Sequence, residues 1–225
     1  MKPYYSAVLA VAAASLFINV AKASPVTVLN PSFETLGALT STGASGPEWN
    51  ALPVSGGWVS SLNSAYVEYT VNNDVNPSNL HFAVAADGSV VANMGGVGTL
   101  SQDLNYAATA GQTITLSFDL GKTLTGLGTG NIEAQILVGG VPIADNATLT
   151  ATAPAGQWAL ATITGTASTA GDLSIAFIDI NNNSGATPWL DNVSVDASPV
   201  PEPSALSFLA FGLIATLFVR RIRLA

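Results

Sequence analysis

The stretch "WLDNVSVD" near the end of the chain sets the first chemical problem. With a side-chain period of two, Trp189, Asp191, Val193 and Val195 fall on one face, and Leu190, Asn192, Ser194 and Asp196 on the other. If the Trp-Val-Val face is the core face, Asp191 goes inward with it. A buried carboxylate needs a partner or a proton. Its usual partner is scarce, because Lys122 is the one basic residue between Ser24 and Pro199. A hard cation could take that place, and carboxylate and carbonyl oxygens suit Ca²⁺. The alternative is a carboxylate at a strand end, capped by backbone N–H groups.

Other chemistry is thinly provided. There is no cysteine, so disulfides, thiolate metal sites and a cysteine nucleophile are excluded. The single histidine, His81, cannot form a His-rich zinc site, and no G-x-S-x-G accompanies it to suggest a hydrolase elbow. His81 is expected to pack beside Phe82 or cap a turn. Fourteen carboxylates offer many pairs for glycoside hydrolysis, and spacing singles out none of them. The runs "GVGTL" and "GLGTG" lack a following helix and are not nucleotide loops. Among the aromatics, Trp49 in "GPEWNALP" is expected in an exposed loop, where its ring could stack on a sugar. Trp58, Trp158 and Trp189 open strand-like runs and are expected in the core. The reading is therefore a protein that is not an enzyme, with no catalytic residues assigned.

The elements that position these residues read as strands. "TITLSFDL" and "NIEAQILV" alternate apolar and polar residues, as half-buried strands do. "AYVEYTV", "WALATITGT", "DLSIAFIDI" and "WLDNVSVDA" continue the pattern, with Gly and Asn between them. Gly139-Gly140 between "AQILV" and "VPIA" predicts a hairpin. About ten short strands without a long helical period predict an all-β antiparallel sandwich of jelly-roll type over residues 24–199. First and last strands tend to be neighbours in such a fold, so Glu34 in "NPSFE" becomes the second candidate ligand beside Asp191.

The two ends differ from this body. Lys2, the apolar run Ala7–Val20 and Ala21-Lys22-Ala23 have the form of a signal peptide cleaved after residue 23, which implies the Sec export machinery. Residues 200–225 hold Pro201-Glu202-Pro203, an apolar run Ala205–Val219, and Arg220, Arg221 and Arg223. Fifteen helical residues cover roughly 22 Å against a hydrocarbon core of about 30 Å, a short and provisional transmembrane helix. Its arginines stay cytoplasmic by the positive-inside rule. Between the ends, one lysine stands against thirteen of the fourteen carboxylates, which repels nucleic acid and favours cations.

The order Pro201-Glu202-Pro203, apolar helix, Arg220-Arg221 resembles the C-terminal sorting signal of PEP-CTERM proteins of Gram-negative bacteria that make exopolysaccharide. The resemblance implies cleavage near the Pro-Glu-Pro by an exosortase. A transient inner-membrane anchor then gives way to the cell surface or extracellular space. "VLNPSFET", Gly57-Trp58 and "WLDNVSV" in that order resemble jelly-roll carbohydrate-binding and galactose-binding-like modules. Those modules often hold a structural calcium at the positions of Glu34 and Asp191. The function expected is a non-enzymatic surface or matrix protein associated with extracellular polysaccharide. Its alternatives are a carbohydrate-binding module with a defined glycan, or a glycan hydrolase on the same scaffold.

Overall fold

The structure is a computed structural model. It describes residues 22–35, 49–51, 57–61, 66–70, 85–94, 98–122, 131–180 and 188–200. His81, the apolar run of the leader, and Pro201, Glu202, Pro203, Arg220 and Arg221 lie outside these. Ala23–Ser198 forms one compact unit; the two ends are assigned to another.

Among the described residues, twelve strands make two antiparallel sheets. They are β1 (Ser24–Val26), β2 (Trp49–Ala51), β3 (Val59–Ser60), β4 (Tyr66–Thr70), β5 (Val90–Met94), β6 (Gly98–Ala108), β7 (Thr113–Gly121), β8 (Asn131–Val138), β9 (Val141–Thr150), β10 (Trp158–Thr166), β11 (Gly171–Asp179) and β12 (Trp189–Ser198). One sheet runs β10-β7-β12-β5-β4-β2, with β1 also on β12; the other runs β3-β6-β11-β8-β9. The architecture is the all-β sandwich that the alternating pattern predicts.

Alternation explains the core. Ile114, Leu116, Phe118 and Leu120 of β7 are buried, as are Ile132, Ala134, Ile136 and Val138 of β8. They join Leu173, Ile175 and Phe177 of β11 and Val193, Val195 and Ala197 of β12 in one apolar cluster. Phe33, Trp58, Phe177 and Phe118 run through it in sequence, with ring centroids 5.5, 6.1 and 4.9 Å apart. Edge-to-face and tilted contacts of this kind add to the area term.

The other faces are polar. On the seven-stranded sheet, Thr113 pairs its hydroxyl with Thr166 (3.3 Å), Thr115 with Thr164 (3.2 Å) and Ser117 with Thr162 (3.2 Å). These rungs keep the face soluble with almost no cationic charge. Gly139 and Gly140 link β8 to β9 with φ of 59° and 77°, the left-handed pair a two-residue hairpin requires.

At one side the two sheets come so close that β10 meets β9 backbone to side chain. A Cβ on Gly165 would lie 2.6 Å from the Ile143 carbonyl oxygen, whereas one on Gly139 meets nothing within 4 Å. Gly165→Ala should therefore destabilise the protein by about 1–3 kcal/mol in urea titration. Gly139→Asn, which keeps a left-handed residue in open space, should stay within ~0.5 kcal/mol.

Candidate functional site

The residues singled out by their chemistry converge on one loop. Residues 85–90 lead into β5, and both Glu34 and Asp191 grip their backbone. Glu34 Oε1 accepts the N–H groups of Ser89 and Val90 at 2.6 Å each, and its Oε2 accepts the Ser89 hydroxyl at 3.0 Å. Asp191 Oδ2 accepts the N–H groups of Ala86 (2.8 Å) and Asp87 (2.9 Å), while Oδ1 accepts that of Asn192 (2.8 Å). Ser32 closes the set by donating its hydroxyl to Asp87 Oδ2 at 2.6 Å. Gly88 sits between the two grips with φ of 67°, and any Cβ there would collide with the Glu34 carboxylate.

The segment that carries Glu34 is itself tightly wound. Asn30 folds over it, its Oδ1 accepting the Thr35 N–H at 2.8 Å. Phe33 is completely buried with a φ of 59°, a left-handed conformation rare for a bulky side chain. Trp58 donates its indole N–H to the Asn30 carbonyl at 3.1 Å. Val193 of β12 donates its N–H to the Pro31 carbonyl at 2.9 Å. First segment, loop and last strand are thus tied at one place, and the neighbouring of first and last strands that suggested Glu34 is seen in β1 pairing with β12.

The face assigned to Asp191 needs correction. It is fully buried, with 0% exposure, but it does not share a face with Val193 and Val195. Register shifts between Asp191 and Ser194, where Asn192 has a φ of 50°. Before this bulge Leu190 pairs with Leu120 and joins the core, and Asp191 pairs with Asp119 on the outer side. Trp189 leaves the main core too, and packs instead with Val91, Ala85 and Trp158. A bulge moves every later side chain to the opposite face. Asp191 is buried because the 85–90 loop covers it.

Burial pushes the Asp191 carboxyl up from 3.8 to about 7. The N–H donors of Asp87, Asn192 and Ala86 pull the other way, and the neighbouring Asp87 carboxylate adds to the rise.

A calcium shared by Glu34 and Asp191 fits this donor set poorly. Asp191 Oδ2 and Glu34 Oε1 each already hold two N–H groups, and calcium takes six to eight oxygens. Among the described residues no three His, Cys, Asp or Glu side chains are grouped to hold an ion. The loop presents N–H donors to these carboxylates, which is the capping arrangement. Trp49, expected in a loop, opens β2 at the edge of its sheet and pairs with Tyr69. Trp58 and Trp189 are buried as expected. Capping by backbone N–H groups is the alternative the sequence offered for Asp191; that one loop supplies such groups to Glu34 as well has no residue signature beyond Gly88.

The fold is an all-β antiparallel sandwich, tied at one joint by two carboxylates. Residues 24–196 match the HpiC1-like family, described as HpiC1 cyclase, and the chain belongs to that family. Residues 199–223 match the PEP-CTERM protein-sorting motif, which marks a protein exported and sorted by exosortase in Gram-negative bacteria. The chain is similar to a Stig cyclase, Fisc, from Fischerella sp. TAU, solved with (3Z)-3-(1-methyl-2-pyrrolidinylidene)-3H-indole. Identity is 17%, the TM-score 0.63, and 80% of this chain and 100% of that one are covered. An apo form cyclase from Fischerella sp. is 18% identical with a TM-score of 0.60, covering 80% and 98%. A looser likeness, at 10% identity and TM-score 0.45, is to the CBM22-1 xylan-binding domain of Xyn10C from Paenibacillus barcinonensis, covering 72% and 100%. No curated protein matches the chain.

Two outcomes test the tie. The folded carboxyl of Asp191 titrates above its unfolded value, so its contribution is fully present below pH 4 and is lost as pH rises through about 7. The stability difference between wild type and Asp191→Asn should shrink across that window by on the order of 4 kcal/mol, read from urea midpoints at successive pH values. EDTA should leave the melting temperature of the wild type unchanged; a marked fall would restore calcium to the site.

Proposed function

We propose that this protein is a non-catalytic component of the cell surface or extracellular matrix, released there by exosortase and associated with extracellular polysaccharide. The observation that carries the reading is the junction: β12 ends at Ser198 and the sorting motif begins at residue 199. The sandwich is the body that is delivered, and the tail is its address. Pro201-Glu202-Pro203 is the recognition element, the apolar run after it a transient inner-membrane anchor, and Arg220 and Arg221 its cytoplasmic stop. The tie supports a non-catalytic body, because the acids that stand out in the sequence are engaged in holding a loop. The hydroxyl rungs on the outer sheet support a neutral, heavily hydrated partner over an anionic one.

A second reading is favoured by the family. A member of a cyclase family could carry out an acid-assisted ring closure, and Asp191 has the raised carboxyl that such a step needs. Its enclosure beneath residues 85–90 argues against access in this state.

Intact-mass measurement of the protein recovered from the cell surface tests the first reading. The expected mass lacks both the leader and the arginine-tipped tail. Calorimetric titration of that material separates the two readings. Saturable binding of neutral oligosaccharides, without binding of (3Z)-3-(1-methyl-2-pyrrolidinylidene)-3H-indole, is expected. Binding of the indole alone would transfer the case to the cyclase.

A further inference from the structure

The open side of the sandwich at β1 and β6 holds a cleft of about 330 Å³. Its walls are fixed from two directions. The chain leaving β1 is clamped where the Gln102 side-chain amide pairs with the Leu29 backbone, Leu29 N–H to Oε1 at 2.7 Å and Nε2 to the Leu29 carbonyl at 2.9 Å. This holds Leu29 outward, 46% exposed. On the other side β6 is bulged: Asp103 pairs with Ser174 and Tyr106 with Leu173, leaving Leu104 and Asn105 without opposite residues. Asn105 is left-handed, φ 49°, and its N–H donates to Asp103 Oδ1 at 2.9 Å. Bulges of this kind re-aim side chains beside binding sites.

The lining divides by chemistry. Pro25, Leu29, Leu104 and Tyr106 supply apolar surface, and Thr27, Asp103 and Asn105 supply polar groups. Tyr106 packs against the core and its hydroxyl accepts the Gln112 side-chain N–H at 2.6 Å, so the ring is set before any ligand arrives. Asp103 Oδ1 is taken by Asn105, which leaves Oδ2 to accept. The volume lies at the small end of ligand sites, and an apolar wall with a few convergent polar groups is their usual make-up.

We propose that this cleft binds one neutral hexose unit of a polysaccharide chain, deepening the reading above and resting on it. The sugar's C–H face lies on Leu29 and Tyr106, while two of its hydroxyls donate to Asp103 and exchange hydrogen bonds with Asn105 and Thr27. One carboxylate with no cation in the lining rejects uronic acids and favours O–H donors. The cleft's open flank lets the chain continue on either side of the bound unit.

The test uses the mature protein recovered from cells, titrated calorimetrically with neutral β-linked hexasaccharides of glucose and galactose, and with trigalacturonate as the anionic comparison. Saturable binding of a neutral oligosaccharide is expected, with none of trigalacturonate. Asp103→Asn, which keeps an oxygen for the Asn105 N–H, should weaken binding roughly tenfold. Leu29→Ala, an exposed change, should weaken it several-fold without shifting the melting temperature, so binding lost there is not a folding defect. Trp49→Ala should leave it unchanged. Neutral binding that survives Asp103→Asn and Leu29→Ala, or is lost with Trp49→Ala alone, overturns the assignment, as does preferential binding of trigalacturonate. If no oligosaccharide binds, the cleft proposal falls, while the surface location stands or falls on the intact mass.

Discussion

Two carboxylates holding the backbone of one loop are the constraint on which this sandwich depends. Glu34 takes the amides of Ser89 and Val90, and Asp191 those of Ala86 and Asp87. Asp191 forms its bonds where water cannot compete. The strained neighbours follow from this. Phe33 tolerates a left-handed backbone because Glu34 is anchored beside it and its ring packs on Trp58. Trp58 then packs on Phe177 and Phe177 on Phe118, so the tie at the surface continues as aromatic contacts into both sheets.

The composition makes such a tie necessary. With Lys122 the one cation between Ser24 and Pro199, ion pairing cannot satisfy the acids that burial reaches. Backbone N–H groups are the donors that remain, and a loop that turns its amides toward the acids is the means of offering several at once. Gly88 is required there twice over, by its positive φ and by the closeness of the Glu34 carboxylate. The same shortage shapes the exposed sheet, where hydroxyl pairs across β7 and β10 stand where many proteins place alternating charges.

Much of the fold was legible because its strands obey a period of two. β8 and β10 coincide with the runs "NIEAQILV" and "WALATITGT", and the Gly139-Gly140 hairpin lies where its residues require. β6 was not legible although it is the longest strand among the described residues. Gln102, Asp103 and Asn105 lower its strand propensity, and its bulge breaks the alternation that would have marked it. The same device concealed the side on which Asp191 lies. A period-two reading carries Trp189, Asp191 and Val193 along one face, and a single left-handed residue, Asn192, separates them. Glu34 and Asp191 were both found from sequence as candidate ligands, with backbone capping the alternative for Asp191; the loop that supplies the amides to both was not.

Family membership and function separate along the same physical line. The HpiC1-like match spans residues 24–196, the length of the sandwich, and one frame can host many chemistries. In this chain the buried acid at the joint of that frame is enclosed by amide donors, and the loop above it is pinned a second time by Glu34. A proton donor must meet its substrate, so the more firmly residues 85–90 are held, the less Asp191 can serve any ring closure. The open cleft lies elsewhere, at the bulge of β6. The two features thus sit apart on the frame: an enclosed acid at the joint of first and last strands, and an accessible wall between β1 and β6.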